Sequence, residues 1–147
     1  MAIVISSFGQ TYTPIEAASW AYNNGYLVEG YHEGIPYAMS SHALIPVLAK
    51  EKGLAYEGIS KGTGIEKKIV DSLSQGKLIV AIMGPGHFTS GGHFIVLTGI
   101  TENGEIIVAD CASRKRSSMT WDLSLIIKEA RTSAGAGGPF WAIGKSY

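Results

Sequence analysis

Two apolar runs and the polar turn after the second constrain the fold of this chain more than any other feature. Leu78–Met83 is a continuous apolar stretch of strand length, and a second stretch covers His93–Ile100. Uninterrupted apolar runs of this length predict strands that are covered on both faces. The turn signal Thr101–Gly104 joins the second run to Glu105–Asp110, which predicts an antiparallel hairpin. The second half of the chain is therefore expected to form an antiparallel sheet.

The first half of the chain carries helix signals. Met1–Phe8, followed by Gly9, is typical of the last two turns of a buried helix. The sequence Thr-Pro-Ile-Glu at Thr13–Glu16 is a capping box, which starts a second helix expected to run to about Asn23. Further helices are predicted over 41–52, 65–74 and 121–131, the last one capped by Thr120 or Ser118, and a closing strand over 140–143. Helices followed by antiparallel strands predict an α+β fold, in one domain spanning residues 1–147.

Composition excludes several classes of function. The twelve acidic and twelve basic residues balance, so the concentrated basic patch of a nucleic-acid-binding protein is not expected. The short basic run Arg114–Arg116 is predicted to be a solvated loop. No apolar stretch approaches the roughly 20 residues that cross a bilayer, so membrane insertion is not expected. Cys111 is the single cysteine, which excludes an intrachain disulfide.

His93 and Asp110 fall at the same end of the predicted hairpin. With a four-residue turn, His93 faces Ala112, and Asp110 lies two residues away, about 7 Å along the strand. Side chains that lean together can bridge that distance. A carboxylate bound to one ring nitrogen fixes the histidine tautomer and leaves the other nitrogen to act as a base. Spacing alone equally allows an ion pair with a purely structural role.

The residues around this pair resemble a known family. Gly86–Ile100, which contains Gly-Gly-His-Phe-Ile-Val-Leu-Thr-Gly, and the following Ile107–Asp110 are similar to the histidine-and-aspartate region of the bacteriocin-processing (double-glycine) peptidase-like family. The resemblance extends to both sides of this region, at Thr13–Glu16, Trp20, Gly25, Ser117 and Trp121. It therefore covers nearly the whole chain.

This resemblance implies a papain-like cysteine peptidase fold, with N-terminal helices packed on an antiparallel sheet. It makes His93 the general base and Asp110 the residue that orients it. The family's nucleophilic cysteine begins the central helix, whose later turns Met1–Phe8 resemble. That cysteine is expected about six residues before Met1, where the helix N-terminus and the histidine would lower its pKa. The first helix is thus interpreted as truncated, and the chain as given is expected to be inactive in covalent thiol catalysis.

Cys111 is not expected to replace the missing nucleophile. It follows a strand instead of opening a helix, and it occupies a position where the family commonly has proline. Its thiol is also expected to reach His93 only from the wrong side of the site.

Other polar and aromatic residues are weaker candidates. Contacts with substrate are predicted for His87, Gly92 and Trp121. No cofactor and no metal are expected, since His87 lacks the additional ligands that a zinc site requires. His32 and His42 have no partner in sequence and are expected at the surface or at helix ends.

Three functions remain open at this stage. In the first, the longer natural protein carries the cysteine and cleaves peptide bonds. In the second, the chain is a non-catalytic peptide-binding module, with a cleft near Trp121 and Trp141. In the third, His93 and Asp110 serve as acid and base without a covalent nucleophile. Each of the first two has a peptide or protein as partner. A homodimer that covers the truncated helix is also expected, because the apolar start Met1–Ile5 would otherwise be exposed. The resemblance favours a bacterial extracellular or cell-surface location.

Overall fold

The computed structural model describes residues 1–147, in which six helices and eight strands follow one another along the chain. The helices are α1 (Ala2–Ser7), α2 (Pro14–Asn23), α3 (Leu44–Glu51), α4 (Ile65–Ser74), α5 (Arg114–Ser117) and α6 (Leu123–Glu129). The strands are β1 (Leu27–His32), β2 (Ile35–Ser40), β3 (Leu54–Ile59), β4 (Leu78–Met83), β5 (His93–Ile100), β6 (Ile106–Ala109), β7 (Thr120–Trp121) and β8 (Phe140–Lys145). None of the helices combines the length and the apolar composition that a transmembrane helix needs.

A six-stranded antiparallel sheet forms the centre of the fold, in the order β3-β8-β4-β5-β6-β7. Both faces of β4 are buried, as its continuous apolar run predicts. Val80 and Ile82 pack with the buried residues of α1, α2 and α3. Ile79, Ala81 and Met83 pack on the opposite face with those of α4 and α6. The predicted α+β arrangement, with N-terminal helices on an antiparallel sheet, is confirmed.

Helix termini follow the local signals closely. The Thr13 side chain accepts a hydrogen bond from the Glu16 N–H, and the Glu16 carboxylate accepts one from the Thr13 N–H at 2.7 Å. This capping box starts α2, which ends at Asn23 as predicted. Gly9 and Gly25 adopt positive φ just beyond α1 and α2, at 87° and 78°. Glycine adopts this conformation without steric cost, which explains why the helices end there.

The prediction for the start of the last long helix is wrong. Asp122 caps α6, because its side chain accepts a hydrogen bond from the Ser124 N–H at 2.9 Å. Thr120 instead belongs to β7 and donates a hydrogen bond to the Glu105 carboxylate at 3.0 Å. Trp121 pairs with β6 in the same short strand.

Besides β7, three further strands and a short helix, α5, were not predicted. β1 and β2 form a separate two-stranded hairpin, whose turn residues Glu33 and Gly34 both have positive φ. Most of its side chains are exposed, so no apolar alternation marks it in the sequence. β3 lies at the edge of the main sheet, next to β8, and is exposed except at its two ends.

The turn between β5 and β6 differs from the prediction by one residue. A turn over Thr101–Gly104 was expected, but β5 ends at Ile100 and β6 begins at Ile106. These two residues are paired across the hairpin. Without any other change, the longer turn would shift the pairing of β5 with β6 by one residue along the whole hairpin.

A β-bulge just before Gly99 reverses that shift. It inserts one extra residue into β5, so that Val96 pairs with Ala109. Continued to the end of the hairpin, this register makes His93 face Ala112, as the sequence predicted. The prediction is right for this offset because the longer turn and the bulge cancel.

A glycine in β3 provides a test of how tightly this edge of the sheet is packed. A Cβ on Gly58 would lie 2.6 Å from the Gly137 carbonyl oxygen, whereas one on Gly62 would meet nothing within 4 Å. We expect Gly58→Ala to lower the free energy of unfolding by about 1–3 kcal/mol, because the neighbouring backbone must move. Gly62→Ala is the matched control, with an expected change within about 0.5 kcal/mol. Urea unfolding of both variants, followed by tryptophan fluorescence, measures the difference, and equal values would contradict this packing.

Candidate active site

His93 and Asp110 are in direct contact at one end of the β5–β6 hairpin. Nε2 of His93 lies 2.7 Å from Oδ1 of Asp110. The Asp110 side chain is fully buried, while the imidazole of His93 keeps 20% of its surface exposed. Because the contact uses Nε2, the other ring nitrogen, Nδ1, is not engaged by this carboxylate. The predicted meeting of the two side chains is confirmed; their catalytic roles stay a prediction.

The carboxylate of Asp110 has two further partners. Oδ1 also accepts a hydrogen bond from the Ala112 N–H at 2.9 Å, and Oδ2 accepts one from Nε of Arg116 at 2.6 Å. Burial by itself raises the pKa of Asp110, but the hydrogen bonds from Arg116, His93 and Ala112 outweigh it. The pKa therefore lies below its ordinary value. Asp110 is thus held as an anion beside the imidazole of His93.

A tight turn around α5 delivers the arginine to this carboxylate. Ser113 caps α5 by accepting a hydrogen bond from the Arg116 N–H. The Ser117 hydroxyl accepts one from the Asp110 N–H at 2.8 Å, and the Trp121 indole N–H donates to the Arg116 carbonyl at 3.0 Å. The prediction of a solvated loop is wrong for Arg116. A serine cap three residues before it was the available signal, since this cap predicts a helical turn after the aspartate.

His93 opens into a cleft of about 380 Å³. The residues that line it include Met39, His42, Gly92, His93, Cys111 and Arg131. Of the three residues predicted to contact substrate, only Gly92 lines this cleft. Trp121 is 9% exposed and belongs to the hydrophobic core, and Trp141 is completely buried. Neither tryptophan lines this cleft.

His87 lies in the loop between β4 and β5, outside the lining of the cleft. Its backbone N–H donates to the Glu129 carboxylate at 2.8 Å, and its Nδ1 contacts the other oxygen of the same carboxylate at 2.5 Å. Gly86 allows this approach, because a Cβ there would overlap the Glu129 side chain. The contacts of His87 therefore anchor the loop to the end of α6.

Cys111 lies closer to the pair than the sequence suggested. Its sulfur, a ring nitrogen of His93 and a carboxylate oxygen of Asp110 all lie within 4.8 Å of one another. The thiol lies near the pair because the chain turns directly after β6, whereas the side from which it would approach His93 stays a prediction. These three residues are also the group that could hold a metal ion, with soft sulfur and nitrogen donors suited to zinc. Asp110 would have to give up its partners to join it, since Arg116 and His93 already occupy both of its oxygens.

His42 is a cleft residue that sequence reasoning missed. Its Nδ1 accepts a hydrogen bond from the Gly135 N–H at 3.1 Å, and its ring packs edge-on against Phe94 at 6.0 Å. The sequence assigned it to the surface or a helix end because no partner lies nearby in the chain. Gly135 is 93 residues away, and only the tertiary fold brings it to His42.

Three comparisons with known proteins bear on this geometry. The family model described as Peptidase_C39 like family matches residues 1–133. A search of the curated proteins and a search of the solved structures each found no significant match. The matched region includes every cleft residue named above, as well as Asp110 and Arg116.

Removal of the arginine partner tests how Asp110 is held as an anion. Arg116→Gln should raise the pKa of Asp110, since it replaces a guanidinium by a neutral amide. A carboxyl with a lowered folded pKa contributes stability that is present above its unfolded pKa and lost as the pH falls through the folded pKa. We expect Arg116→Gln to cost about 2–3 kcal/mol of unfolding free energy at about pH 7 and less at about pH 2, because protonation of Asp110 removes the charge that Arg116 pairs with.

Urea unfolding at the two pH values measures this difference. Arg114→Gln is the matched control, because it removes an exposed arginine from the same turn and leaves the Arg116–Asp110 ion pair in place. A loss that is equal at both pH values, or equal in the two variants, would contradict a charge-dependent role for Arg116.

Proposed function

Because the chain belongs to the Peptidase_C39 like family, which makes it a peptidase-like domain with a papain-like α+β fold, we propose that His93 and Asp110 serve a cysteine peptidase that hydrolyses peptide bonds. His93 is the general base and Asp110 orients it. The thiol comes from a residue that precedes Met1 in the longer natural protein. The expected partner is a peptide or an unfolded segment of a protein.

One observation carries this proposal: the buried carboxylate of Asp110 engages Nε2 of His93 and leaves Nδ1 for a reacting group. This division fixes the tautomer and stabilises the imidazolium that forms when the ring takes a proton. The ring is partly exposed in a cleft, so a peptide can approach it. A purely structural pair would need no such access.

The position of α1 supports a thiol ahead of Met1. Met1, at the amino end of α1, lines an apolar cavity of about 300 Å³ together with Phe94 and Cys111. Cys111 in turn borders His93 in the cleft. A chain that reaches Met1 therefore passes close to the pair. A cysteine in that preceding segment, at the start of the helix, would gain acidity from the helix dipole and from the imidazolium.

The reaction then proceeds through a thioester. His93 takes the thiol proton on Nδ1, the sulfur bonds to the carbonyl carbon of the peptide, and the C–N bond breaks as the ring returns the proton to the leaving amine. His93 next takes a proton from water, whose oxygen attacks the thioester. The C–S bond breaks, the sulfur recovers its proton, and the peptide acid leaves.

The apolar cavity favours a second candidate function. Fourteen of its sixteen lining residues are hydrophobic, and it adjoins the cleft at Phe94 and Cys111. A peptide side chain could occupy it whether or not a bond is cleaved. A non-catalytic peptide-binding module therefore stands as the alternative, distinguished from the peptidase by binding without hydrolysis.

The first experiment is N-terminal sequencing and intact mass of the native protein, isolated from its source. We expect additional residues before Met1 with a cysteine about six residues upstream, at the start of a helix. We also expect this native protein to cleave members of a synthetic peptide library, read by mass spectrometry, and to lose that activity after treatment with iodoacetamide. Binding of peptides without cleavage would favour the second candidate, and a native protein without an upstream cysteine would contradict the first.

Variants of the native protein then test the roles of the pair. His93→Ala should lower the rate of peptide cleavage about a thousandfold or more, because the thiol loses its base. Asp110→Asn should lower the cleavage rate by a similar factor, because the tautomer of His93 is then no longer fixed by a carboxylate. Circular dichroism checks that this variant folds. His32→Ala, at an exposed position of β1, is the control and should cleave at the unaltered rate. Full activity of His93→Ala would exclude the proposed base.

A further inference from the structure

The cleft beside His93 carries a positive charge without a counter-charge. Arg131 is its only lysine or arginine, and none of its ten lining residues is aspartate or glutamate. The four ion pairs of the chain do not include Arg131. The buried carboxylate of Asp110 is already bound to His93 and Arg116, so it offers this cation no partner. The cleft is therefore suited to an anionic ligand.

Arg131 is fixed at the wall of the cleft by its backbone and by its side chain. Its N–H donates to the Ile82 carbonyl at 3.0 Å, and Nη2 donates to the Gly91 carbonyl at 3.4 Å. The guanidinium packs directly on Gly92, where a Cβ would lie 2.8 Å from Nη2. Gly92 is the residue before His93, so this packing holds the cation next to the proposed base. The remaining N–H groups of the guanidinium have no partner within the chain.

His42 adds a neutral donor to the same cleft. Its Nδ1 accepts the Gly135 N–H, so in the neutral ring the proton is on Nε2. The ring packs against Phe94 and Trp141, with centroid distances of 6.0 Å and 6.2 Å. Burial and the charge of Arg131 lower the pKa of His42, which keeps the ring neutral near pH 7. Nε2–H is thus a donor whose tautomer the protein sets.

We propose that Arg131 and His42 form a carboxylate-binding subsite, which selects peptides that carry a carboxylate close to the bond presented to His93. The guanidinium supplies charge-assisted hydrogen bonds, and Nε2–H of His42 supplies a neutral one. The carboxylate belongs either to the C-terminus of a peptide or to an aspartate or glutamate side chain. The peptide nature of the ligand rests on the proposed function, whereas the preference for a carboxylate rests on Arg131 and His42.

The test is a binding titration of the 147-residue chain, labelled with ¹⁵N and followed by NMR. Three probes are compared: N-acetyl-dialanine with a free C-terminal carboxylate, its C-terminal amide, and N-acetyl-aspartyl-alanine amide, whose carboxylate is on the side chain. We expect at least one of the two carboxylate probes to bind about tenfold or more tightly than the neutral amide. The tighter of the two identifies the source of the carboxylate. Equal binding of all three, or no binding at millimolar concentrations, would overturn the subsite.

Variants assign the preference to the two residues. Arg131→Gln should abolish it, and Arg131→Lys should keep only part of it, since a point charge replaces the planar fork. His42→Gln, which retains an N–H donor, should keep more of the preference than His42→Phe, with folding of each verified from its amide spectrum. Lys128→Gln is the control, because this exposed lysine lies near Arg131 in the chain and does not line the cleft. Equal losses in Arg131→Gln and Lys128→Gln would show a general charge effect and exclude the subsite.

These titrations involve no bond cleavage. A failed carboxylate preference therefore leaves peptide hydrolysis by the native protein untouched. Conversely, absence of hydrolysis in the native protein leaves the binding result valid for a peptide-binding module.

Discussion

The buried charge of Asp110 is the constraint on which the rest of this site depends. A carboxylate with no exposed surface costs several kcal/mol unless it is paired and hydrogen-bonded. Here the backbone of Ala112 and the side chains of His93 and Arg116 meet that requirement from three different positions in the chain. The turn around α5 places the guanidinium of Arg116 against this carboxylate, and the start of β5 places the imidazole of His93 against it. Charge, hairpin and turn are therefore parts of one unit.

The elements that could be predicted from the sequence are those whose local signals agree with the tertiary structure. The capping box at Thr13–Glu16, the apolar run of β4 and the glycines after α1 and α2 each determine conformation within a few residues. β1 and β2 could not be predicted in this way, because most of their side chains are exposed and apolar alternation is absent. The helix predicted over 121–131 includes Trp121, whose pairing with β6 is visible only in three dimensions.

The candidate site likewise combines a contact that the sequence predicts with contacts that it does not. The contact of His93 with Asp110 follows from the parity and offset of one hairpin, so the sequence contains it. The offset was right even though the turn was one residue too short, since the bulge in β5 compensated for it. His42, Arg131 and the approach of Cys111 depend on contacts across many residues or on the direction of one turn. Such contacts have no signature in a single sequence, and the sequence did not place these residues in the cleft.

The two anchors of the β4–β5 loop have a consequence for how this protein can diverge. The Glu129 carboxylate binds the first part of the loop at His87, and the Arg131 guanidinium binds its last part at Gly91. Glu129 and Arg131 are only two residues apart in the chain. A residue inserted before His87 or after Gly91 would displace the wall of the cleft relative to the end of α6. One inserted around the exposed Ser90 would leave both anchors in place. Variation in loop length is thus confined to the tip, where it can alter what the cleft admits while the residues beside His93 stay where they are.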